Sequence, residues 1–442
     1  MSSPRGTSGN RPHKVAPAAR PDRLRRPRRG RLIGGTVLLA AVLAAAGAAA
    51  ESSPYSLGAS QTFTRDSNLL RLGDGQAAPP GYARADTVSS TALLGAVDQK
   101  IGRQRVYGSL TLRDNRLEHN SIYDNQSQAL SLRLDWETVE RLSGSVKLDR
   151  ARSLATFAAA DRGFVPERNT ETTQRASLVV RRGLPDQLQF ELGLDHQSVD
   201  YSAALYAPYE LRQSSVSLGA RLRTGAALLL SAGVRRLEGS YPKALQRADG
   251  SVQADDFRRT SLDLRAVWQP SGASRLALRL SPMKVRYEVA RERDFSGLTG
   301  ALTWAWQPGA RLNLTTDLLR EPAQDSTLLG QSDEIGSVEY SRMSTSLRVQ
   351  AGYELSAKVQ ARAGVSYRER QTDRSLVLAA VGPLGTTSAT DHATTYNLGL
   401  TWQPTRSISL GCTWQQEARS ASSLAQALHY STYGCFGQFV LN

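Results

Sequence analysis

The segment VQARAGVSY, residues 359–367, alternates apolar and polar side chains along its whole length. Its apolar members are Val, Ala, Ala, Val and Tyr, and Gln, Arg, Gly and Ser stand between them. The same period of two recurs in residues 130–136, 188–194 and 262–268. This alternation gives a β-strand one apolar face and one polar face. Runs of about ten residues are long enough for a tilted strand to cross a bilayer.

Segments of this kind recur along the chain after residue 51, and no segment of 18 apolar residues occurs there. We predict eighteen strands, an even number that places both chain ends on one side of a barrel. The predicted fold class is therefore all-β, a transmembrane antiparallel outer-membrane β-barrel of about 18 strands. The predicted strands are 55–66, 86–99, 103–115, 124–138, 141–153, 170–182, 186–199, 209–223, 226–239, 254–269, 273–286, 292–307, 310–321, 337–355, 357–371, 390–404, 406–419 and 428–441.

The predicted connections alternate between short and long, which indicates a membrane barrel with short periplasmic turns and longer outer loops. A soluble β-sandwich gives no reason for such regular segregation of loop lengths. The short ones include 140, 183–185, 224–225, 270–272 and 308–309. The long ones include 67–85, 154–169, 240–253, 322–336 and 372–389.

Four tryptophans support the same sidedness. Each stands one to three residues before a predicted short turn, and three belong to Trp-Gln-Pro sequences. The amphipathic ring of tryptophan favours the boundary between hydrocarbon and water. We therefore predict an interfacial girdle at the periplasmic side. Its members are Trp136, Trp268, Trp306 and Trp402.

Residues 1–50 have the pattern of a removable secretory signal peptide with a long basic n-region. A basic stretch at 23–31 precedes an apolar run at 32–46, and Ala48-Ala49-Ala50 provides a small-residue cleavage site. The segment holds ten Lys and Arg residues and one acid, so it carries +9 of the net charge of +15 and leaves +6 for residues 51–442. The high net charge is therefore poor support for a nucleic-acid partner. We predict export to the outer membrane of a Gram-negative bacterium, with residues 51–442 forming the barrel.

The two cysteines lie on the last two predicted strands. Counting outward from the centre of the intervening hairpin pairs Cys412 with Cys435 and Trp414 with Tyr433. Directly opposed strand residues are close enough for a disulfide, and the periplasm is oxidising. We predict a cross-strand disulfide; the alternative is two small apolar residues that face lipid.

No CxxC, HExxH or P-loop motif occurs, and we predict neither an enzyme nor a cofactor or metal site. Asp195, His196 and Ser198 are close in sequence, but adjacent strand residues face opposite sides of a sheet. They therefore do not meet the geometric requirements of a catalytic site.

The predicted functional surface is the lumen of the barrel. Its arginines would favour anionic cargo, whereas an alternative is that lumen charges pair across the wall and rigidify it. Acids also face inward at Asp135, Asp149, Glu191, Asp263 and Asp317. The candidate cargo contacts are Arg113, Arg133, Arg175, Arg221, Arg265, Arg279, Arg348, Arg362, Arg368 and Tyr107, the last as a stacking platform.

Several segments resemble a known family. They are SQTFTRDSNLLRL at 60–72, Arg141-Leu-Ser-Gly144 with Arg152-Ser-Leu154, Ser240-Tyr-Pro242, RERDFSGLTG at 291–300 and the Trp-Gln-Pro turns. The chain thereby resembles EpsL-type outer-membrane barrels, which are encoded with exopolysaccharide biosynthesis genes and often associated with exosortase systems. The resemblance implies an outer-membrane exit for a secreted polysaccharide.

Three functions follow as hypotheses. The first is a passive conduit for exopolysaccharide export, with outer-membrane lipid, the polysaccharide, a periplasmic export component and the barrel-assembly machinery as partners. The second is a general or nutrient porin, whose pore an inward-folded loop would narrow. The third is a structural or adhesive barrel that acts through its outer loops.

Overall fold

The computed structural model describes residues 53–155, 167–184, 187–246, 251–329, 336–378, 382–423 and 426–441. The predicted signal peptide at 1–50 lies outside the described residues. Among the described residues, no helix is long and apolar enough to cross a membrane.

Eighteen antiparallel strands of the described chain form one sheet in sequence order, and β1 pairs with both β2 and β18. The sheet is therefore closed and has no free edge, which confirms the predicted fold class. The strands are β1 Tyr55–Asp66, β2 Asp86–Ile101, β3 Gln104–Leu117, β4 Asn125–Glu137, β5 Leu142–Leu154, β6 Thr170–Gly183, β7 Leu188–Tyr201, β8 Leu211–Thr224, β9 Leu228–Gln246, β10 Val252–Ser271, β11 Ser274–Tyr287, β12 Phe295–Trp306, β13 Leu312–Leu329, β14 Gly336–Ser356, β15 Val359–Leu378, β16 Gly382–Trp402, β17 Ile408–Arg419 and β18 Leu428–Leu441.

The outward face of the barrel is apolar along its middle. Leu130, Leu132 and Leu134 of β4 are exposed there, and Leu398 and Leu400 of β16 are exposed likewise. An apolar surface of this extent needs lipid rather than water, and a closed barrel satisfies every backbone group within the bilayer. The protein is a transmembrane barrel of the outer-membrane type.

Outward side chains become polar toward the ends of the strands that carry the long connections. Arg65 of β1, Thr87 of β2 and Asp114 of β3 lie on the outward face beyond the apolar residues Leu93 and Leu112. Because charged side chains are costly inside a bilayer, this collar marks where the membrane-spanning part of the strands ends. Asp86 lies beyond the collar, at the outer strand end.

The four predicted girdle tryptophans all lie on the outward face within three residues of a short-turn end. The Trp306 ring stacks on Trp304 with ring centroids 5.5 Å apart. The predicted short connections at 140, 224–225, 270–272 and 308–309 are also present as tight turns, and residue 185 of the predicted connection 183–185 lies outside the described residues. One of them places Arg141 at φ 61°, and another uses Gly225 at φ 64°, a left-handed conformation that glycine adopts without strain.

Three of the predicted long loops are wrong in their bounds. Most of residues 240–253, 322–336 and 372–389 continue the strands: β9 runs to Gln246, β13 to Leu329 and β15 to Leu378. Outside the bilayer a strand needs backbone partners but no apolar outward face, so hydrogen bonding continues where the apolar alternation stops. The predicted connection 67–85 agrees with the structure.

Three 3-10 helices stand in the outer connections of the described chain: η1 Ser121–Tyr123, η2 Ala204–Tyr209 and η3 Arg291–Arg293. They connect β3 to β4, β7 to β8 and β11 to β12, so they recur every four strands. Buried apolar residues cluster at this same end of the barrel. Leu237, Phe257, Val285 and Tyr287 form one cluster, and Leu70, Leu117 and Tyr123 form another.

Candidate solute-conducting lumen

The strand registers place every predicted lumen residue on the inward face. Most of these residues alternate with exposed apolar neighbours of the same strand, as Arg133 does with Leu132 and Leu134. These inward residues are Arg113, Arg133, Arg175, Arg221, Arg265, Arg279, Arg348, Arg362, Arg368 and Tyr107.

The inward acids have partners of their own. Lys147 Nζ lies 2.9 Å from Asp149, and Arg181 donates to Glu191 at 2.8 Å. The Ser281 hydroxyl donates to Asp263 at 2.6 Å. These acids thus contact Lys147, Arg181 and Ser281, which are not among the predicted lumen residues.

Most of the predicted arginines, in contrast, have no acidic partner. Arg133 pairs with Asp135 at 2.8 Å, Arg362 donates to Gln360 at 2.9 Å, and Arg175 faces Asp149 across β5 and β6. No carboxylate of the described residues lies within 4.0 Å of the remaining six arginines. Those six are Arg113, Arg221, Arg265, Arg279, Arg348 and Arg368. The lumen wall therefore carries positive charge that its own acids do not neutralise.

The inward wall of β6–β10 contains a depression that we call the glycine pocket. Gly219 and Gly233 face each other there, and an added Cβ at Gly233 would lie 2.8 Å from the Leu218 carbonyl oxygen. The pocket has a volume of about 250 Å³. Its charged lining residues are Arg181, Glu191, Arg221, Arg235, Asp263 and Arg265. Arg235 Nε is 3.3 Å from Asp263 Oδ2, an ion-pair distance without hydrogen-bond geometry.

A second depression, the amide pocket, lies in the wall formed by β14–β17 and has a volume of about 210 Å³. Its lining contains two arginines, three carboxamides and two hydroxyls, and no acid. Asn397 of this pocket precedes Trp402 by five residues, and Asp263 of the glycine pocket precedes Trp268 by five. The two pockets therefore stand at comparable distances from the tryptophan girdle. The polar lining is Arg348, Gln350, Ser366, Arg368, Thr395, Asn397 and Gln415.

The three 3-10 connections are fastened by equivalent clamps. The backbone N–H groups of His119 and Asn120 donate to Asp86 at 3.0 and 2.8 Å. The Ala203 N–H donates to Asn169 Oδ1 at 3.1 Å. The N–H groups of Val289 and Ala290 donate to Asp255 Oδ1 at 3.1 and 3.4 Å. Each clamp fixes one connection to the rim of the barrel.

Three residues after the last clamped N–H group of each connection stands a residue with a large, buried side chain. Tyr123, Tyr206 and Arg293 are 0, 7 and 2 % exposed. Residues of η2 approach β9 and also β13, several strands away around the wall. These connections thus fold inward at the outer mouth. Their buried side chains narrow the route through the lumen.

Arg293 is held by one acid and two rings. Its Nη1 lies 3.5 Å from Asp255 Oδ2, and its guanidinium carbon lies 4.8 and 4.5 Å from the ring centres of Tyr241 and Tyr287. A cation over aromatic faces in a desolvated place is stabilised by about 2 kcal/mol or more. Burial raises the pKa of Asp255, more than its backbone donors and Arg293 lower it.

The Asp86 clamp is electrostatically different. Burial raises the pKa of Asp86, but the N–H groups of Asn120, His119 and Thr87 and the Asn120 amide together hold that pKa below its ordinary value. Glu118 and His119 lie near this carboxylate, and the three residues bring ligand atoms within 4.8 Å of one another. Because the Asp86 oxygens already accept these hydrogen bonds, the cluster offers a metal ion little free coordination.

Two further expectations concern individual side chains. The ring of Tyr107 already lies beside Arg105, whose guanidinium carbon is 4.6 Å from the ring centre. If Tyr107 stacked on a sugar, only the other face of its ring would be available, because Arg105 covers the first. Asp195 and His196 lie on opposite faces, and His196 Nδ1 is 2.9 Å from the Ser214 hydroxyl on the outward side.

The last two strands carry the cysteines in the register that was expected. Cys412 stands opposite Cys435, and their sulfur atoms form a disulfide. Trp414 stands opposite Tyr433, also on the outward face. The disulfide therefore faces lipid beside the seam where β18 meets β1.

No protein-family model and no curated protein matches the chain. Among solved structures, OpdK of Pseudomonas aeruginosa is similar at 12% identity and TM-score 0.45, over 88% of this chain and 98% of that one. A PfeA ferric enterobactin receptor mutant from the same organism gives 7% identity and TM-score 0.42, over 87% and 80%. The siderophore receptor PirA of Acinetobacter baumannii gives 8% and 0.41, over 88% and 81%. Identities and TM-scores this low carry no argument about the function of this barrel.

Proposed function

We propose that the protein is a passive, porin-like channel of the outer membrane that favours negatively charged hydrophilic solutes. The observation that carries this proposal is the set of inward arginines without an acidic partner within 4.0 Å. Fixed positive charge on a pore wall attracts anions and repels cations. Three acids on the same wall, Asp149, Glu191 and Asp263, lie against Lys147, Arg181 and Arg235 instead.

The outer mouth supports a channel for small solutes. Tyr123, Tyr206 and Arg293 are buried in the connections that fold inward there. A narrowed mouth sets an upper size limit, as the porin hypothesis requires. A bulky polymer would need the clamped connections to move aside before it could leave.

Liposome swelling tests this proposal directly. Vesicles that contain the protein should swell faster in gluconate than in cationic glucosamine of similar size, because the wall arginines attract one and repel the other. Equal swelling rates would contradict the proposed preference. Vesicles without protein provide the control for leakage.

Exopolysaccharide export remains the second candidate, and it rests on the sequence segments that resemble EpsL-type barrels. In this proposal the polysaccharide, a periplasmic export component and the barrel-assembly machinery are the partners. Loss of secreted polysaccharide on gene deletion, with solute uptake unchanged, would favour export over the porin.

A further inference from the structure

We infer that the amide pocket is a binding site for a sugar acid, that is, a single sugar-sized unit bearing one carboxylate and several hydroxyls. This inference rests on the proposed anion channel and names the class of solute it carries. The pocket holds cationic and neutral groups in one depression of about 210 Å³.

Two arginines supply the charge. Arg348 lies opposite Ser366 on neighbouring strands, and Arg368 is one inward position further along β15. No carboxylate of the described residues lies within 4.0 Å of either guanidinium. Asp317 faces Arg348 across β13 and β14, but its Oδ1 accepts a hydrogen bond from Thr303 at 2.7 Å. The two guanidinium groups are thus available to a ligand carboxylate, which they match in geometry.

The carboxamides of the pocket are the reason why we expect the ligand to carry hydroxyl groups. Gln350, Asn397 and Gln415 each offer a carbonyl oxygen that accepts and an NH₂ group that donates. A bare inorganic anion uses only donors, so it would leave these acceptors without partners. Hydroxyl groups both donate and accept, and they satisfy such a mixed set.

Gly364 keeps the pocket open. It stands opposite Asn397, and an added Cβ at Gly364 would collide with Asn397 Oδ1. The Asn397 amide therefore lies over the bare backbone of β15. The next inward residue of β16 toward the outer mouth, Thr395, donates to Glu417 at 3.3 Å. This acid stands beside the pocket and disfavours a second anion next to the first.

The glycine pocket does not carry the same inference. Its lining includes Glu191 and Asp263, which already engage Arg181 and Arg235. Its lining has no carboxamide. It therefore offers positive charge along the route but few groups that recognise hydroxyls.

The test is titration calorimetry of the full chain in detergent micelles with glucuronate, glucose and acetate as probes. Glucuronate should bind more tightly than glucose, which lacks the charge, and more tightly than acetate, which lacks the hydroxyls. The Arg348→Gln, Arg368→Gln double variant should bind glucuronate roughly tenfold or more weakly, because charge-assisted hydrogen bonds are lost. Asn397→Leu should weaken glucuronate binding but leave acetate binding unchanged.

A double variant with Arg65→Gln and Arg320→Gln removes the same charge from the outward face. It should bind glucuronate like the parent protein. Equal affinity for glucuronate and acetate, or retention of glucuronate binding in the Arg348 and Arg368 double variant, would overturn the inference. The heat-modifiable electrophoretic mobility of folded barrels verifies that each variant is assembled.

Conductance in planar bilayers separates this inference from the channel proposal. Anion-selective conductance without glucuronate binding would overturn the site and leave the channel standing. Glucuronate binding without conductance would overturn the channel and leave the site standing.

Discussion

Arg265 and Arg279 stand directly opposite each other on the inward faces of β10 and β11. Like charges in this position destabilise a strand pair. No carboxylate of the described residues lies within 4.0 Å of either guanidinium. A barrel that only needed rigidity would be better served by an opposite-charge pair here. The arrangement therefore supports a role for the arginines toward solutes rather than toward each other.

Replacing Arg279→Glu should turn this repulsive pair into an attractive one. We expect the free energy of unfolding in micelles to rise by about 0.2–1 kcal/mol. The anion preference of the channel should fall at the same time. Urea denaturation and bilayer selectivity measure the two effects. Arg113→Glu is the matched control, because its strand neighbours Ala92 and Ser127 are neutral; it should lower selectivity without stabilising the barrel. A less stable Arg279→Glu protein would contradict this account.

The disulfide should stabilise the barrel measurably. Cys412 and Cys435 are 23 residues apart, and a cross-link that closes a loop of this size stabilises by about 3 kcal/mol. The Cys412→Ser, Cys435→Ser double variant should therefore unfold at lower urea concentration. Reductant should lower the parent protein to the same midpoint and leave the double variant unchanged. A parent protein that is insensitive to reductant would refute the prediction.

Arg293→Ala should loosen the η3 connection. The substitution leaves Asp255 without its buried cationic partner, and removal of one partner from a buried pair costs about 3–5 kcal/mol. We expect higher single-channel conductance, because the inward-folded connection is released from the rim. Arg291→Ala in the same helix is the matched control, since Arg291 is exposed. Conductance equal to that of the parent protein would show that this connection does not narrow the pore.

The η1 connection should loosen at its clamp in acid, and the η2 connection should not loosen at its own clamp. The pKa of Asp86 is lowered in the folded state, so its stabilisation is present at neutral pH, above the ordinary value of 3.8, and is lost as the pH falls through the folded-state pKa. Spin labels at Ile122→Cys and Leu205→Cys occupy equivalent exposed positions in the two connections. Below about pH 3.8 the η1 label should gain mobility.

The η2 label serves as the internal control, because its clamp uses the Asn169 amide, which does not titrate. Equal gains of mobility at both labels would indicate general acid unfolding. An immobile η1 label at low pH would contradict the role assigned to Asp86.

The strand count and the faces of the strands were predictable because the bilayer imposes them. Apolar alternation is required wherever a strand meets lipid, as in residues 130–136, and tryptophan marks its limit at Trp136. The register of Cys412 with Cys435 followed from symmetric counting about a single hairpin. The outer extensions of β9, β13 and β15 were not predictable in this way, because water accepts polar side chains on both faces.

An inward-folded loop was expected only under the porin hypothesis and was not located, although the sequence contains a signal for its position. Arg116, Glu118 and Asp124 have the same spacing as Arg286, Glu288 and Asp294. In both connections the last acid accepts a backbone hydrogen bond, from Leu117 at 2.8 Å and from Tyr287 at 2.7 Å. The inward burial of Tyr123 and Arg293, which precede these acids, depends on contacts between distant strands. Spacing alone does not reveal such contacts.

The reversal potential of the purified protein in a planar bilayer under a KCl gradient tests the central claim most directly. The account predicts a sign that corresponds to preference for chloride. It also predicts that joint replacement of Arg265, Arg279, Arg348 and Arg368 by glutamine shifts the potential toward zero or reverses it. A potential that shows preference for potassium in the parent protein, or one that these replacements leave unchanged, would contradict it.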